Sequence, residues 1–338
     1  MQFCLDLNKS LSELLTHYEQ VCVVSDAQVD TSRLSVLTPY PSLSLEISES
    51  AKSMATVECI WDFLFAQQLT RRGVVVCIGG GVLTDMAGFA AATYKRGVDF
   101  IHIPTTLLAM VDASTGGKTG INYGGLKNSI GVFAQPVETL IDTQWLETLP
   151  AQEFLSGFGE MLKTGLIDDD KQLWNQVLQY DFGSMKSSEL SLLIEQCVAV
   201  KERIVHEDPR EEGKRKVLNF GHTFGHAIEE VSIQHSAVSH GYAVVYGMIA
   251  ELYLSVVKLG CPKEPLQQLT QLMLQYYGKP QCKCSDREAL IALMQRDKKN
   301  ERAAEINCTL LRDIGSPVIN QVITPEEAKE TLEYLFSL

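Results

Sequence analysis

The sequence predicts an α/β first domain with a mostly parallel sheet over residues 1–150, followed by an all-α second domain over 151–338. Three observations carry this expectation. The 338 residues exceed the size at which one hydrophobic core keeps growing. Up to residue 150, short apolar runs alternate with helical patterns. Beyond Pro150, long helical periodicities take over.

In chain order, residues 20–25 and 42–47 read as strands, and Val57, Ile60, Trp61 and Leu64 then recur at helical spacing. A β-branched run at 74–78 and an apolar run at 100–103 read as two further strands, separated by a glycine turn and an alanine-rich helix. Strand, helix and strand joined by short turns require parallel pairing, because the crossover occupies a dozen or more residues. Such sheets bind ligands at the carboxyl ends of their strands. In the second half, 188–205, 217–231, 242–259 and 265–277 read as helices and 305–311 as a short extended segment. The charged stretch 206–216 and the polar stretch 278–285 read as exposed loops. The sequence shows no internal repeat, low-complexity tract or long linker.

Apolar residues at 45% and charged residues at 21% are those of a folded globular protein rather than a disordered chain. A formal charge of −13 argues against nucleic acid or anionic membrane as a partner, since the general field repels phosphate polymers, so any basic site must be local. The nine cysteines are odd in number and scattered, with only Cys282 and Cys284 close together, which favours reduced thiols over a disulfide framework. Residues 1–10 lack a basic stretch followed by an apolar run, and no uncharged segment reaches about 18 apolar residues. A cytoplasmic protein without export signal or membrane span is expected.

Gly79, Gly80 and Gly81 follow directly on the run at 74–78 and precede a helix starting near Thr84 and Asp85. Backbone N–H groups and a helix dipole there suit a pyrophosphate, although the last glycine of the usual dinucleotide fingerprint is missing and a plain strand-to-helix turn fits equally. Thr105 and Thr106 end the next strand and could line the same crevice. Asp112, Gly116, Gly117, Lys118, Lys127 and Asn128 form a long glycine-studded loop that offers cations and amides without Walker spacing; a solvated loop is the bland alternative. Of seven histidines, His222, His226, His235 and His240 fall within nineteen positions. His222 and His226 stand i, i+4 on one helix face, which suits one as a metal ligand and the other as an acid or base toward substrate. His240 opens the next apolar helix and could complete the site, whereas His235 reads more simply as a core histidine. Two imidazoles and a carboxylate leave an open position on zinc, the catalytic pattern. Glu160 and Lys163 share a helix face, as a ligand and a cation or as a surface ion pair. Lys201, Arg215, Asn219, Lys298 and Lys299 could bind substrate anions or be solvated surface.

Taken in order, GGGVLTDMAGFAAATYKRG, IPTTLLAMVDASTGGKTGIN, LKNSIG, GEMLKTG, KVLNFGHTFGHAIE and SHGYAV resemble 3-dehydroquinate synthase, a sugar phosphate cyclase. The likeness runs from about Asp26 to Lys299. It implies a dehydroquinate synthase-like fold: a Rossmann-like NAD-binding α/β domain, an all-α metal-binding domain, an active site between them and a homodimer. By resemblance, NAD contacts fall to Asp26, Glu49, Lys52, Gly80, Gly81, Asp85, Thr105, Thr106, Lys127, Thr148 and Leu149. The metal, Zn2+ or Co2+, falls to Glu160, His222 and His240. Asp112, Lys118, Lys163 and His226 take catalytic roles, and Lys118, Lys127, Asn128, Lys201, Arg215 and Asn219 bind substrate. Arg96 reaches the partner's phosphate site, and Lys299 or its neighbour Lys298 closes the pocket. The implied reaction is that of a phosphate-eliminating carbon–oxygen lyase of the shikimate pathway. It converts 3-deoxy-D-arabino-heptulosonate 7-phosphate to 3-dehydroquinate by oxidation, elimination, reduction, ring opening and aldol closure. Tyr242, where many relatives carry an acid, and the run 206–209 depart from the family pattern.

Two other enzymes share this architecture. A cyclase making a valiolone or deoxy-inosose has no substrate carboxylate to occupy the full set of Lys201, Arg215 and Asn219. A metal-dependent NAD polyol dehydrogenase would accumulate NADH. A decayed, non-enzymatic scaffold would have lost metal ligands, and none is lost here.

Overall fold

The computed structural model describes residues 1–182, 188–233, 237–282, 284–296 and 305–338. Lys298, Lys299 and His235 lie outside the described residues. Two compact units emerge, one built on Met1–Leu149 with residues 188–191, the other on Leu192–Leu338 with residues 150–182.

The first unit contains β1 (Gln2–Phe3), α1 (Leu7–Leu15), β2 (Val21–Asp26), β3 (Ser42–Leu45), α2 (Met54–Ala66), β4 (Val74–Gly79), α3 (Gly81–Thr93), β5 (Asp99–Pro104), β6 (Lys118–Tyr123), β7 (Leu126–Phe133) and β8 (Glu138–Ile141). Six strands form one sheet in the order β1-β8-β5-β4-β2-β3, parallel at every pairing. The central β4 is valine-rich and buried along its whole length, as a strand covered on both faces must be. Helix α3 comes closest to its neighbours at Gly88, where a Cβ would sit 2.7 Å from Thr119 Cγ2 of β6 and 3.3 Å from His102 Nε2 of β5. The chain runs outward from β2 to β3 on one side and from β4 to β5 on the other. The switch point therefore falls between the carboxyl ends of β2 and β4, where Asp26 and the three glycines stand.

The stretch expected to be a loop around Asp112–Asn128 is instead mostly a hairpin. Residues 109–113 form a π-turn, after which β6 and β7 pair antiparallel. Gly124 and Gly125, at φ +62° and +79°, make the two-residue turn that matches strand twist. Gly116 and Gly117, the paired glycines before Lys118, have φ of +101° and +65° and turn the chain into β6, while at Gly120 and Gly131 the two strands pass too closely for a Cβ.

The second unit comprises α4 (Ala151–Ile167), α5 (Lys171–Leu178), α6 (Ser188–Glu207, whose first turn belongs to the first unit), α7 (His222–Ser232), α8 (His240–Leu259), α9 (Glu264–Leu272), α10 (Arg287–Gln295), β9 (Ile306–Leu311), β10 (Pro317–Ile323) and α11 (Pro325–Ser337). It is helical but not strictly all-α, because β9 pairs antiparallel with β10. The second strand escapes a periodicity reading because Asn320, at φ +56°, sits where the register shifts. The helix expected over 217–231 is broken: a 3-10 turn, Lys214–Asn219, ends before Gly221, and α7 starts afresh. Likewise 265–277 is α9 followed by a π-turn at Met273–Tyr277. Helix α8 is long and apolar enough to cross a membrane by composition, yet 67% of its apolar window is buried within the protein.

Candidate metal centre and anion crevice

Glu160 on α4, His222 at the start of α7 and His240 at the start of α8 each bring one ligand atom within 4.8 Å of the other two. Glu160 Oε1 lies 3.6 Å from His222 Nε2 and 3.3 Å from His240 Nε2. Ligands about 2.1 Å from a tetrahedral ion stand roughly 3.4 Å apart, so the spacing fits zinc-like coordination. The far nitrogens fix the tautomers. His222 Nδ1 donates to the Phe220 carbonyl at 3.0 Å, and His240 Nδ1 faces Glu229 Oε2 at 3.2 Å, so each Nε2 is turned toward Glu160. Burial opposes charge on His240, but Glu229 and then Glu160 outweigh it and push its pKa up to about 10. The centre thus favours positive charge.

Glycine brings the three helices this close. A Cβ on Gly241 would sit 1.8 Å from the Ser156 carbonyl of α4, and one on Gly247 would sit 1.9 Å from the Gly221 carbonyl beside α7. Ser156 Oγ also accepts the Gly241 N–H at 3.1 Å. Backbone therefore rests on backbone at both contacts.

Around the centre, Lys163 pairs with Glu160, and both are almost fully buried. His226 is exposed, its ring 5.1 Å from that of His222 and 5.9 Å from that of His240, beside the ligands without joining them. Lys201 and Arg215 are 7% and 2% exposed, unusual for cations. Arg215 donates to the Pro209 carbonyl at 2.8 Å, and Asn219 donates to Glu211 Oε1 at 3.0 Å. The loop that carries them is tied by Asp208, which accepts from the backbone of Glu212, Gly213 and Arg215 at 3.1, 2.7 and 3.0 Å. Asp208 and Glu229 were missed by sequence reasoning, because nothing in the text of a loop or helix marks a carboxylate as a support for its neighbours.

In the first unit, the crevice at the ends of β2, β4 and β5 gathers many of the expected dinucleotide contacts. A Cβ on Gly80 would meet Thr106 at 3.1 Å, one on Gly79 would come 3.3 Å from Asp26 Cβ, and one on Gly81 would strike Ala113 at 2.8 Å. The floor is open because these residues have no side chain. Thr105 N–H donates to the Gly79 carbonyl at 3.0 Å. Burial pushes the Asp26 carboxyl pKa upward, and Glu46 adds to the shift. Lys52, buried, joins Asp85 and Asn128 at 2.5 Å each. Asn122 extends the cluster, donating to Glu49 Oε1 and accepting the Asn128 N–H, both at 2.8 Å. Lys127 is exposed and only 4.0 Å from Glu49, and Thr148 is exposed at the end of its own 3-10 turn, before Leu149. Asp112 lies in the π-turn, and Lys118, exposed, begins β6. Lys95 and Arg96 both have positive φ, +49° and +68°, in a strained turn that leaves Arg96 exposed.

Family models for the N-terminal and C-terminal parts of 3-dehydroquinate synthase match residues 42–156 and 157–300. A 3-dehydroquinate synthase of Parabacteroides distasonis is 42% identical over 98% of this chain and 96% of its own. The chain belongs to the 3-dehydroquinate synthase family. The activity that goes with the family is synthesis of 3-dehydroquinate in the shikimate pathway. Among solved structures, a 2-epi-5-epi-valiolone synthase from Streptomyces hygroscopicus subsp. jinggangensis 5008, with NAD+ and Zn2+ bound, superposes with a TM-score of 0.90. It is 26% identical, and the match covers 99% of this chain and 96% of that one. A 2-deoxy-scyllo-inosose synthase complexed with carbaglucose-6-phosphate, NAD+ and Co2+ gives 0.85 at 23% identity, over 98% and 95% of the two chains, which speaks to the fold alone. Fold is thus shared across the cyclases, while identity sets this chain with the 3-dehydroquinate synthases.

Proposed function

We propose that the chain eliminates phosphate from 3-deoxy-D-arabino-heptulosonate 7-phosphate and closes the product to 3-dehydroquinate, with NAD in the first unit and Zn2+ or Co2+ in the second. The observation that carries this reading is the trio Glu160, His222 and His240, with both imidazoles turned by Phe220 and Glu229. When bound, the dinucleotide and the ion supply a transient hydride acceptor and a Lewis acid. The chain's residues do the rest. Gly80, Gly81, Thr105 and Thr106 line the dinucleotide crevice, while Asp26, Glu49, Lys52 and Asp85, with Lys127, Thr148 and Leu149, fix its polar ends. Lys201, Arg215 and Asn219 hold the carboxylate and hydroxyls of the substrate, and Lys118, Lys127, Asn128 and Lys298 or Lys299 its remaining oxygens. His226 and Lys163 hold and move protons at the substrate hydroxyls, with Asp112 orienting them. Positioning of this kind is worth on the order of 7–11 kcal/mol.

The two units correspond on this reading to residues 1–150 and 151–338. The protein acts as a cytoplasmic homodimer, with Arg96 meeting the phosphate bound by the partner. Eight of the nine cysteines, all but Cys284, are free thiols in the structure, which supports a reducing compartment. Purified protein with the heptulosonate phosphate, trace NAD+ and Co2+ should release phosphate and form the carbocycle without accumulating NADH. Absence of phosphate release, or equal turnover of a sugar phosphate lacking the carboxylate, rejects the reading.

A further inference from the structure

Helix α7 begins without a side-chain cap of its own. Its N-cap is Gly221, in the left-handed region at φ +79°, and no side chain of the cap caps the N–H groups that a helix start leaves open. The acceptor comes from the middle of α8. Glu251, 0% exposed, places Oε2 2.7 Å from the Gly221 nitrogen and Oε1 3.2 Å from the Thr223 nitrogen. These two bonds bracket His222. One turn earlier on α8, Gly247 rests against the Gly221 carbonyl, so two successive turns of α8 grip the same residue by its two ends. The Phe220 carbonyl, which orients the His222 ring, belongs to the same short segment.

A carboxylate without exposure is costly unless hydrogen bonds and an opposing field compensate it. The positive end of α7 supplies both. A leucine here would fill the space on α8 but leave the Gly221 and Thr223 N–H groups buried and free to turn. We propose that Glu251 is a positioning residue of the metal centre: by holding the N–H groups on either side of His222, it sets the rotation of the first turn of α7 and hence the aim of His222 Nε2. The inference rests on reading Glu160, His222 and His240 as the metal ligands. Glu251 stands outside the ligand trio and acts through the backbone N–H groups of Gly221 and Thr223.

The test is a Co2+ titration of metal-stripped, full-length protein, read by d–d absorption and chelator competition, on wild type, Glu251→Gln, Glu251→Ala and Ser255→Ala. Gln keeps the volume and one acceptor oxygen but turns an amide N–H against a backbone N–H. Ser255 is a control for core damage. It is equally buried on α8, its Oγ bonded to the Glu251 carbonyl at 2.6 Å and to the Leu311 N–H at 2.9 Å, with no bond to α7. Glu251→Gln should bind Co2+ about tenfold to a hundredfold more weakly with an altered d–d band, while Ser255→Ala loses stability but keeps affinity within about twofold. Should Glu251→Ala not fold, Glu251→Gln carries the test. Unchanged affinity and spectrum in Glu251→Gln, or equal weakening in Ser255→Ala, overturns the inference. A wild type that binds no Co2+ defeats the metal reading beneath it instead.

Discussion

The first unit places its polar residues on turns and strand ends around a glycine floor, whereas the second places its ligands on helix faces pressed together through glycine. Both use the smallest residue, for opposite purposes. At Gly80 and Gly81 the missing side chain leaves space in the crevice; at Gly241 and Gly247 it lets one backbone occupy the space of another. A crevice formed at a sheet's switch point can lose one polar partner and persist. Three ligands on three helices cannot survive a shift of one helix by an ångström, because coordination tolerates only a few tenths.

The comparison breaks most visibly at a ligand. His222→Ala should leave no stoichiometric zinc or cobalt by elemental analysis and lower phosphate release at least about a hundredfold, with dinucleotide binding retained. Retained metal would dissolve the contrast. Next, Gly241→Ala sets a Cβ against the Ser156 carbonyl and should cost about 3 kcal/mol in urea unfolding, with metal content lost in parallel.

The pH dependence of the first unit is a third probe. Burial pushes the His102 imidazole pKa down to about 4. Between its ordinary pKa of 6.5 and about 4, the unfolded chain takes up a proton that the folded chain refuses, so stability present above the upper limit declines as pH falls. The full loss is about 3 kcal/mol, and His102→Gln should flatten the slope in chemical denaturation between those limits. Lys52→Ala removes the bonds to Asp85 and Asn128 and should weaken NAD+ about tenfold in fluorescence titration, leaving metal content unchanged. Smallest of all, Gly124→Asn should move stability by no more than about 0.5 kcal/mol. Its φ of +62° suits asparagine, and a Cβ there meets nothing within 4 Å, in contrast to Gly241.

The legible elements were those with strong period or composition. The runs at 74–78 and 100–103 became β4 and β5, and the long patterns became α6 and α8. What escaped was short or interrupted. β1 has two residues and β8 four, too few to show alternation, and both owe their place to a neighbouring strand. The break before α7 was hidden because Gly221 sits inside an apolar period that continues across it. At the site, Glu160, His222 and His240 were legible as residue types, but Glu229, Asp208 and Asn122 were not, because a supporting carboxylate or amide is defined only by what folds against it.

Residue order alone determined the alternation of strand and helix, the glycine turn after β4, the histidine spacing and the family, since each is written in local periodicity or motif. Tertiary structure decided which strands are neighbours, where the switch point falls, and that three ligands dispersed over eighty positions meet within 4.8 Å. Such distances are set by backbone contact between helices, and no local period encodes them.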